Sequence, residues 1–185
     1  MMSTSTQLMT AEELIRLPSG QYRYELINGE LITMSPAGHD HGRISVRLTA
    51  PLAQFVWDND LGEVFSSDTG FQLSSKPDTV LAPDVSFIRK DRVQKVGRSQ
   101  GYWLGPPDLA VEVLSPEQRD AYIKKRVAQW LSFGTKEVWI INPRTSTLTV
   151  HSPQGIVVTL TNDEFLDGRE IVPGFRFSIK RLFDL

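Results

Sequence analysis

Cysteine is absent from the 185 residues, and histidine occurs only three times. Disulfide bonds and cysteine-ligated zinc sites are therefore excluded. The chain also lacks an apolar run long enough to cross a membrane and the basic, then apolar start of a secretory signal. These absences favour a cytoplasmic protein without a membrane partner.

An excess of positive charge is also missing, since the formal net charge is −2. Strong binding to nucleic acid through overall charge is excluded, but a local basic surface is not. Residues 89–98 hold five arginines and lysines against one aspartate, which is typical of a solvated loop or of a nucleic-acid contact. The 40% hydrophobic content is that of a globular protein. The length predicts one domain over 1–185, with residues 1–9 disordered.

The first part of the chain predicts a short helix, a hairpin and a longer helix. A capping-box spacing predicts the short helix over 11–17. Asn28-Gly29 between two alternating runs is a strong hairpin signal, because both turn positions need positive φ. Apolar residues at helical spacing follow over 41–57. Pro51 should kink this helix or split it in two.

Two short apolar runs predict buried central strands over 85–88 and 109–114. A basic helix over 117–133 follows the second run, and an apolar strand over 137–141 follows that helix. This order indicates a parallel strand–helix–strand crossover. The connection over 89–107 is long and charged, which predicts a mobile segment. The whole pattern predicts an α/β or α+β fold in which helices flank a mixed β-sheet.

Each of the two buried strands carries one carboxylate, Asp84 at the first and Glu112 within the second. A charge in such a strand is costly unless a partner or a metal neutralises it. If the strands pair, the two carboxylates can share a divalent cation such as Mg²⁺, which prefers oxygen ligands. The alternative is structural: Asp84 caps a turn after Pro83, and Glu112 pairs with a buried arginine.

Cations lie close to these acids in the expected fold. The helix over 117–133 places Lys124 and Arg126 at the two margins of its apolar stripe. Long cationic side chains there can reach over the helix edge towards Glu112. A plain solvated basic face is the alternative.

Several segments resemble one known family when they are taken together. They are PDV around Asp84, VEVLSP around Glu112, the basic helix, WLSFGTKEVWIINP, and YELINGELITMSPAGHDHG near the N-terminus. Over about 12–175 this combination resembles the Uma-two family of restriction endonuclease domains, within the PD-(D/E)XK nuclease superfamily. The resemblance implies a restriction-endonuclease-like core, with a mixed β-sheet, flanking helices and the N-terminal β-hairpin. It also implies a phosphodiesterase site that depends on Mg²⁺ or Mn²⁺.

The resemblance makes Asp84 and Glu112 the metal-binding acids, but the expected catalytic lysine is missing. Its usual position, two residues after the glutamate, is Leu114. In this family the lysine lies on the following helix, at the position of Arg126. Arginine stabilises phosphate charge but does not readily release a proton. Three alternatives stay open: Arg126 acts electrostatically, Lys124 substitutes for the lysine, or the activity is weak.

Two further candidates come from the N-terminal segment. The family pattern has a glutamate at Glu25, which implies a third acid that binds the metal directly or through water. His41 starts a helix and could position water or phosphate. The alternatives are a surface glutamate on a hairpin and a histidine at a helix start.

These inferences indicate a metal-dependent endonuclease that hydrolyses DNA and acts as a homodimer, because two strands must be cut. Basic residues within 89–98 would contact the DNA backbone. The alternative is a catalytically weak or inactive nuclease-fold protein that serves as a nucleic-acid-binding or regulatory module. Arg126 in place of lysine and the mild acidity of the chain favour that alternative.

Overall fold

The computed structural model describes residues 8–18, 22–98, 100–118 and 120–184. In chain order its helices are α1 (Ala11–Leu14), α2 (His39–Asp58), α3 (Lys90–Val96), α4 (Asp120–Ser132) and α5 (Lys180–Phe183). The strands are β1 (Arg23–Ile27), β2 (Glu30–Met34), β3 (Gly62–Ser66), β4 (Phe71–Ser74), β5 (Thr79–Leu81), β6 (Val85–Arg89), β7 (Trp103–Leu104), β8 (Leu109–Val113), β9 (Glu137–Asn142), β10 (Thr147–His151), β11 (Val157–Leu160), β12 (Phe165–Asp167) and β13 (Arg176–Ser178).

A six-stranded mixed sheet with the order β11-β10-β9-β8-β6-β3 forms the centre of the fold. Strands β8 and β9 run parallel, with α4 between them in sequence, and the other pairs of this sheet are antiparallel. The predicted crossover is therefore confirmed. Every residue of β8 is buried, and so is every residue of β6 except Arg89. They are buried because each strand lies between two others and is covered on both faces.

Different layers cover the two faces of the central sheet. One face packs against α2 and the C-terminal segment, with the core residues Ile44, Leu48, Leu52, Val56, Val85, Val111, Phe175 and Phe177. The other face packs against α4 and a second, five-stranded sheet, with the core residues Phe71, Leu81, Ala110, Val127, Trp130 and Ile140. Because side chains alternate along a strand, Glu112 of β8 shares the α4 side with Ala110. Helices thus flank a mixed sheet, as the sequence predicted.

The N-terminal hairpin is confirmed and belongs to the second sheet, whose order is β2-β1-β5-β4-β7. Asn28 and Gly29 adopt φ of 52° and 79°, as the turn requires. Strand β1 is held in the sheet interior because it pairs with β2 on one side and β5 on the other. Of the segment 1–9 predicted to be disordered, residues 1–7 lie outside the described residues. Met9 is fixed, since its N–H donates to the carbonyl of Gly29 at 2.9 Å.

Helix α2 begins earlier than the sequence predicts, and of the two effects expected of Pro51 the split into two helices does not occur. It begins at His39, two residues earlier than predicted, and continues through Pro51 without a break. Buried residues on both sides of Pro51, among them Leu48 and Leu52, hold the helix against the sheet, so packing overrides the local cost of proline. No helix within the described ranges is both long and apolar enough to cross a bilayer.

The segment 89–107 is also more ordered than predicted. It contains α3 and the short strand β7, which pairs with β4. Arg92 donates to Asp108 Oδ2 at 2.9 Å and to the carbonyl of Pro106 at 2.6 Å. Trp103, which belongs to this segment, is buried. A mobile loop was therefore the wrong expectation for the described part of this connection.

Candidate active site

Asp84 and Glu112 lie side by side where β6 begins and β8 ends. Val85 pairs with Val111 in the antiparallel ladder, so the next position on each strand places Asp84 opposite Glu112. The N–H of Asp84 also donates to the carbonyl of Val111 at 3.0 Å, which extends the pairing by one residue. Opposite residues of an antiparallel pair point to the same face of the sheet. The structure therefore brings the two predicted acids together.

A cavity of about 590 Å³ opens at this place, and we call it the acid pocket. Its lining includes both acids and four side chains from other elements: Asp84, Glu112, Arg23, His41, Tyr122 and Arg126. These come from β1, α2, α4 and the central sheet. Residues that are far apart in sequence thus meet at one end of the sheet, in a concave place that a ligand can enter.

Asp84 is held through both of its carboxylate oxygens. Oδ2 accepts a hydrogen bond from the Val113 N–H at 2.8 Å and contacts His41 Nε2 at 3.0 Å. Oδ1 accepts from Arg23 Nη1 at 3.2 Å. Burial by itself would raise the pKa of Asp84, but these three partners together lower it below its ordinary value. Asp84 is therefore a fixed and ionised carboxylate at neutral pH.

Glu112 is held on one side only. Its Oε1 accepts hydrogen bonds from Arg126 Nε and from Trp130 Nε1, both at 2.7 Å. Burial is the largest influence on the carboxyl group and raises its pKa to about 7, and the charges of Asp84 and Glu25 add to the rise against the pull of Arg126. Ionised Glu112 thus sits in a place where negative charge is in excess.

Arg126 and Glu25 form a buried ion pair behind Glu112. Arg126 donates from Nη1 to Glu25 Oε2 at 2.8 Å and from Nη2 to Glu25 Oε1 at 2.6 Å, which is a bidentate contact. Glu25 Oε1 also accepts from the N–H of Ala82 at 2.8 Å. Burial would lower the pKa of Arg126, but Glu112 and Glu25 raise it above its usual range. The guanidinium is therefore permanently charged and joins two carboxylates.

Local sequence spacing explains how these side chains reach the pocket. Arg23 and Glu25 are two residues apart in β1 and so project from the same face of the strand. Arg126 and Trp130 are one turn apart on α4, and the guanidinium carbon lies 5.3 Å from the centre of the Trp130 ring. Tyr122, one turn before Arg126, lines the same pocket. Burial raises the pKa of Tyr122.

Sequence reasoning missed three residues of the site. It did not select Arg23 or Tyr122 as candidates, and it did not predict that Trp130 donates a hydrogen bond to Glu112. The available signal was the spacing itself. Arg23 shares a strand face with the candidate Glu25, and Trp130 and Tyr122 share a helix face with Arg126. Which of these faces would meet the acids depended on how β1 and α4 pack, and no local pattern gives that information.

Lys124 does not join the site. It is exposed on α4 and does not line the acid pocket. Of the two cations proposed at the margins of the helix stripe, Arg126 is the one that is buried and bonded to Glu112. The third alternative for the missing lysine was weak activity, and the positions of the side chains do not test it.

The basic residues within 89–98 also lie away from the acids. They follow β6 at the end opposite to Asp84, about 16 Å away at roughly 3.3 Å per residue. Lys90 is paired with Asp60, and Arg92 is paired with Asp108 at 2.9 Å. Two of the five cations expected to contact DNA are therefore engaged within the protein.

The donor set of the acid pocket fits a hard divalent cation. Within the described ranges no three histidine, cysteine, aspartate or glutamate side chains form a complete metal cluster. Mg²⁺, however, usually keeps several waters and takes only one or two carboxylates. Both hydrogen bonds to Glu112 fall on Oε1, which leaves Oε2 for a cation beside Asp84. The network also has three carboxylates and two guanidinium groups, an excess of negative charge that a cation would offset.

The raised pKa of Glu112 gives a prediction for the metal-free protein. Because the folded state binds this proton more tightly than the unfolded chain, the stabilising contribution is complete below pH 4.5 and is lost as the pH rises to about 7. Glu112→Gln mimics the protonated form. In EDTA we expect it to raise the free energy of unfolding by roughly 1 to 3 kcal/mol at pH 8 and to have little effect at pH 4.

Urea unfolding across this pH range measures the effect, with the exposed Glu170→Gln as the matched control. If Glu112→Gln were less stable than the wild type at pH 8, the ion pair with Arg126 would outweigh the repulsion between the acids.

Comparison with known proteins identifies the class to which this fold belongs. The structure matches a crystal structure described as "a putative nuclease belonging to DUF820" from Anabaena variabilis, with a TM-score of 0.79 and 25% sequence identity over 95% of this chain and 97% of that chain. The fold is therefore that of a nuclease-like protein. The sequence profile of Uma2, described as "Putative restriction endonuclease", matches residues 11–180, so the chain belongs to the Uma2 family. No protein of curated function matches it.

Proposed function

We propose that this chain is a metal-dependent nuclease that hydrolyses phosphodiester bonds in DNA. The observation that carries the proposal is the placement of Asp84 and Glu112 on adjoining strands, facing one pocket. The descriptions of the family and of the structural relative agree with that class. The proposal goes beyond them in naming a metal, a substrate and the residues that act.

Asp84 and Glu112 would hold Mg²⁺ or Mn²⁺. When bound, such an ion lowers the pKa of a water and offsets negative charge on the phosphate. His41 contacts Asp84 through Nε2 and therefore acts as a positioning residue for this carboxylate. The N–H of Val113 fixes the same oxygen from the backbone side, so Asp84 keeps one orientation.

Arg126 has a positioning role in this proposal. Its Nε, Nη1 and Nη2 all donate to Glu112 or Glu25, so the guanidinium orients Glu112 and does not turn to a phosphate. Both oxygens of Glu25 are engaged by the same contacts. Glu25 therefore orients Arg126 and is not proposed as a third metal ligand.

Arg23 is the cation that can reach a phosphate. Its side chain is 27% exposed and lines the acid pocket, whereas that of Arg126 is 6% exposed. It donates to Asp84 Oδ1 at 3.2 Å and to the carbonyls of Ser67 and Ala82 at 3.0 and 3.3 Å. A guanidinium has five N–H groups, so these contacts leave N–H groups from which a phosphate in the pocket can accept. Arg23 would thus supply the charge stabilisation that the missing lysine supplies elsewhere in the superfamily.

The direct test is cleavage of plasmid DNA, linear duplex DNA and single-stranded DNA in Mg²⁺ and in Mn²⁺. We expect cleavage with either ion, complete loss in excess EDTA and recovery when the ion is restored, because the water at the site is activated only beside a cation. Cleavage that continues unchanged in EDTA contradicts metal dependence.

A second candidate function is a nucleic-acid-binding module that does not cleave. It is favoured by the lack of a lysine at the acid pocket: Lys124 is exposed outside the pocket, and Arg126 inside it does not readily release a proton. DNA binding without cleavage in either ion would support this alternative, a nucleic-acid-binding module on a nuclease fold. The homodimer expected from the sequence stays a prediction, which the molecular mass in solution with and without DNA would test.

A further inference from the structure

A second cavity, of about 400 Å³, opens beside the acid pocket, and we call it the side pocket. The two cavities share five lining residues: Gly38, His41, Ser115, Pro116 and Gln118. They are therefore adjoining parts of one depression at the end of the central sheet. A ligand with its phosphate between the two acids would extend into the side pocket.

The wall of the side pocket is mostly apolar. Leu114 after β8, Ile123 on α4 and Pro143 after β9 contribute to it from three elements. Leu114 is buried and Ile123 is half-buried, so both are fixed by the packing of α4 on the sheet. Aliphatic and proline surfaces of this kind suit a flat ligand with an apolar face.

Polar groups at the rim supply both hydrogen-bond acceptors, the carboxylates of Asp40 and Asp120, and donors. The Gln118 Oε1 accepts from the Ser115 N–H at 3.0 Å, and the Asn142 Oδ1 accepts from the Arg144 N–H at 3.1 Å. Each carboxamide thus uses its oxygen within the protein and keeps its NH₂ group as a donor. Arg144, which is exposed at the same rim, adds a third donor group.

We infer that the side pocket binds one unpaired nucleobase of the substrate, next to the phosphate held at the acid pocket. An apolar wall with hydrogen-bond donors and acceptors at its rim is complementary to a nucleobase, which has two apolar faces and both donor and acceptor atoms along its edge. This inference rests on the proposed nuclease function and narrows its substrate. A base inside a duplex is stacked and paired, and extruding it is costly. The substrate is therefore single-stranded or locally unpaired nucleic acid.

Binding experiments test this inference separately from cleavage. Fluorescence anisotropy in Ca²⁺ compares a labelled single strand with its duplex, for the wild type and for Ile123→Trp, which fills the side pocket. We expect the wild type to bind the single strand at least about tenfold more tightly than the duplex, and Ile123→Trp to lose this preference. Ala128→Trp, at an exposed position of the same helix, is the matched control and should keep it.

An abasic scan with the wild-type protein avoids any dependence on the folding of a variant. One abasic position in the single strand should weaken binding about tenfold, and neighbouring positions should have little effect. Equal binding of single strand and duplex, or an abasic scan without a sensitive position, overturns the side-pocket inference and leaves metal-dependent cleavage standing. Absence of cleavage of both single-stranded and duplex DNA in Mg²⁺ and Mn²⁺ would instead overturn the proposed nuclease function, and the preference for binding single strands would survive it.

Discussion

Asp84→Asn is expected to lower the rate of metal-dependent DNA cleavage by more than about 100-fold. Residues that merely support a metal ligand commonly change affinity or activity 10- to 100-fold, and Asp84 is proposed as a ligand itself. The amide keeps the shape of the side chain and can still accept from Val113 N–H through one oxygen. It removes the negative charge, and its NH₂ group would face the Arg23 guanidinium, which is partly exposed and keeps its bonds to the carbonyls of Ser67 and Ala82. The variant should therefore fold.

Asp60→Asn is the matched control for this prediction. Asp60 is exposed and pairs with Lys90 at the far end of β6, so the same chemical change there should leave cleavage unchanged. Rates in Mn²⁺, with thermal unfolding of each variant, separate loss of chemistry from loss of structure. If Asp84→Asn kept a rate within a few-fold of the wild type while Asp60→Asn behaved likewise, the metal assignment would have to be abandoned.

Arg126→Met is expected to produce the largest loss of stability, about 3 to 5 kcal/mol. It would leave two buried carboxylates, Glu25 and Glu112, without the guanidinium that joins them, and an uncompensated buried charge carries a cost of this order. The stability of Arg126→Lys should lie between that of the wild type and that of Arg126→Met. One ammonium group keeps the positive charge, but it cannot reproduce a bidentate contact to Glu25 together with a bond to Glu112. Urea unfolding at pH 8 measures both.

Lys124→Met is the control for Arg126→Met, since it removes a cation from an exposed position of the same helix and should change stability by less than about 0.5 kcal/mol. Adding Glu25→Gln to Arg126→Met should restore part of the loss, because one of the two orphaned charges is then gone. Equal stability of Arg126→Met and Lys124→Met would mean that Arg126 is not held as the structure describes.

Local patterns predicted the parts of the fold that depend on neighbouring residues. The hairpin at Asn28-Gly29 followed from the need for positive φ, and the parallel pair β8 and β9 followed from two apolar runs around one helix. Local preference could not decide between a kink and a split at Pro51. Pro51 lies within an unbroken helix because the apolar residues around it are buried against the sheet.

The candidate site divides in the same way. Asp84 and Glu112 could be proposed from sequence, because a carboxylate in a buried strand is costly and needs a partner. Two roles were offered for Glu112, a partner of a buried arginine and a metal ligand. In the structure it pairs with the buried Arg126 and also faces the acid pocket. The partner of that arginine could not be foreseen, because Glu25 and Arg126 are 101 positions apart.

The sequence by itself determined which strands are buried and which of them carry acids, because burial and strand order follow from the pattern of apolar residues. The nuclease-like core was implied by the resemblance of its motifs to the Uma-two family. Only the tertiary structure decided what each cation does. Arg126 is enclosed between two carboxylates, Arg23 lies open to the pocket, and Lys124 lies in solvent. The physical reason is that these roles depend on how β1 and α4 pack against the central sheet, and side-chain contacts between distant elements leave no periodic signal in the chain.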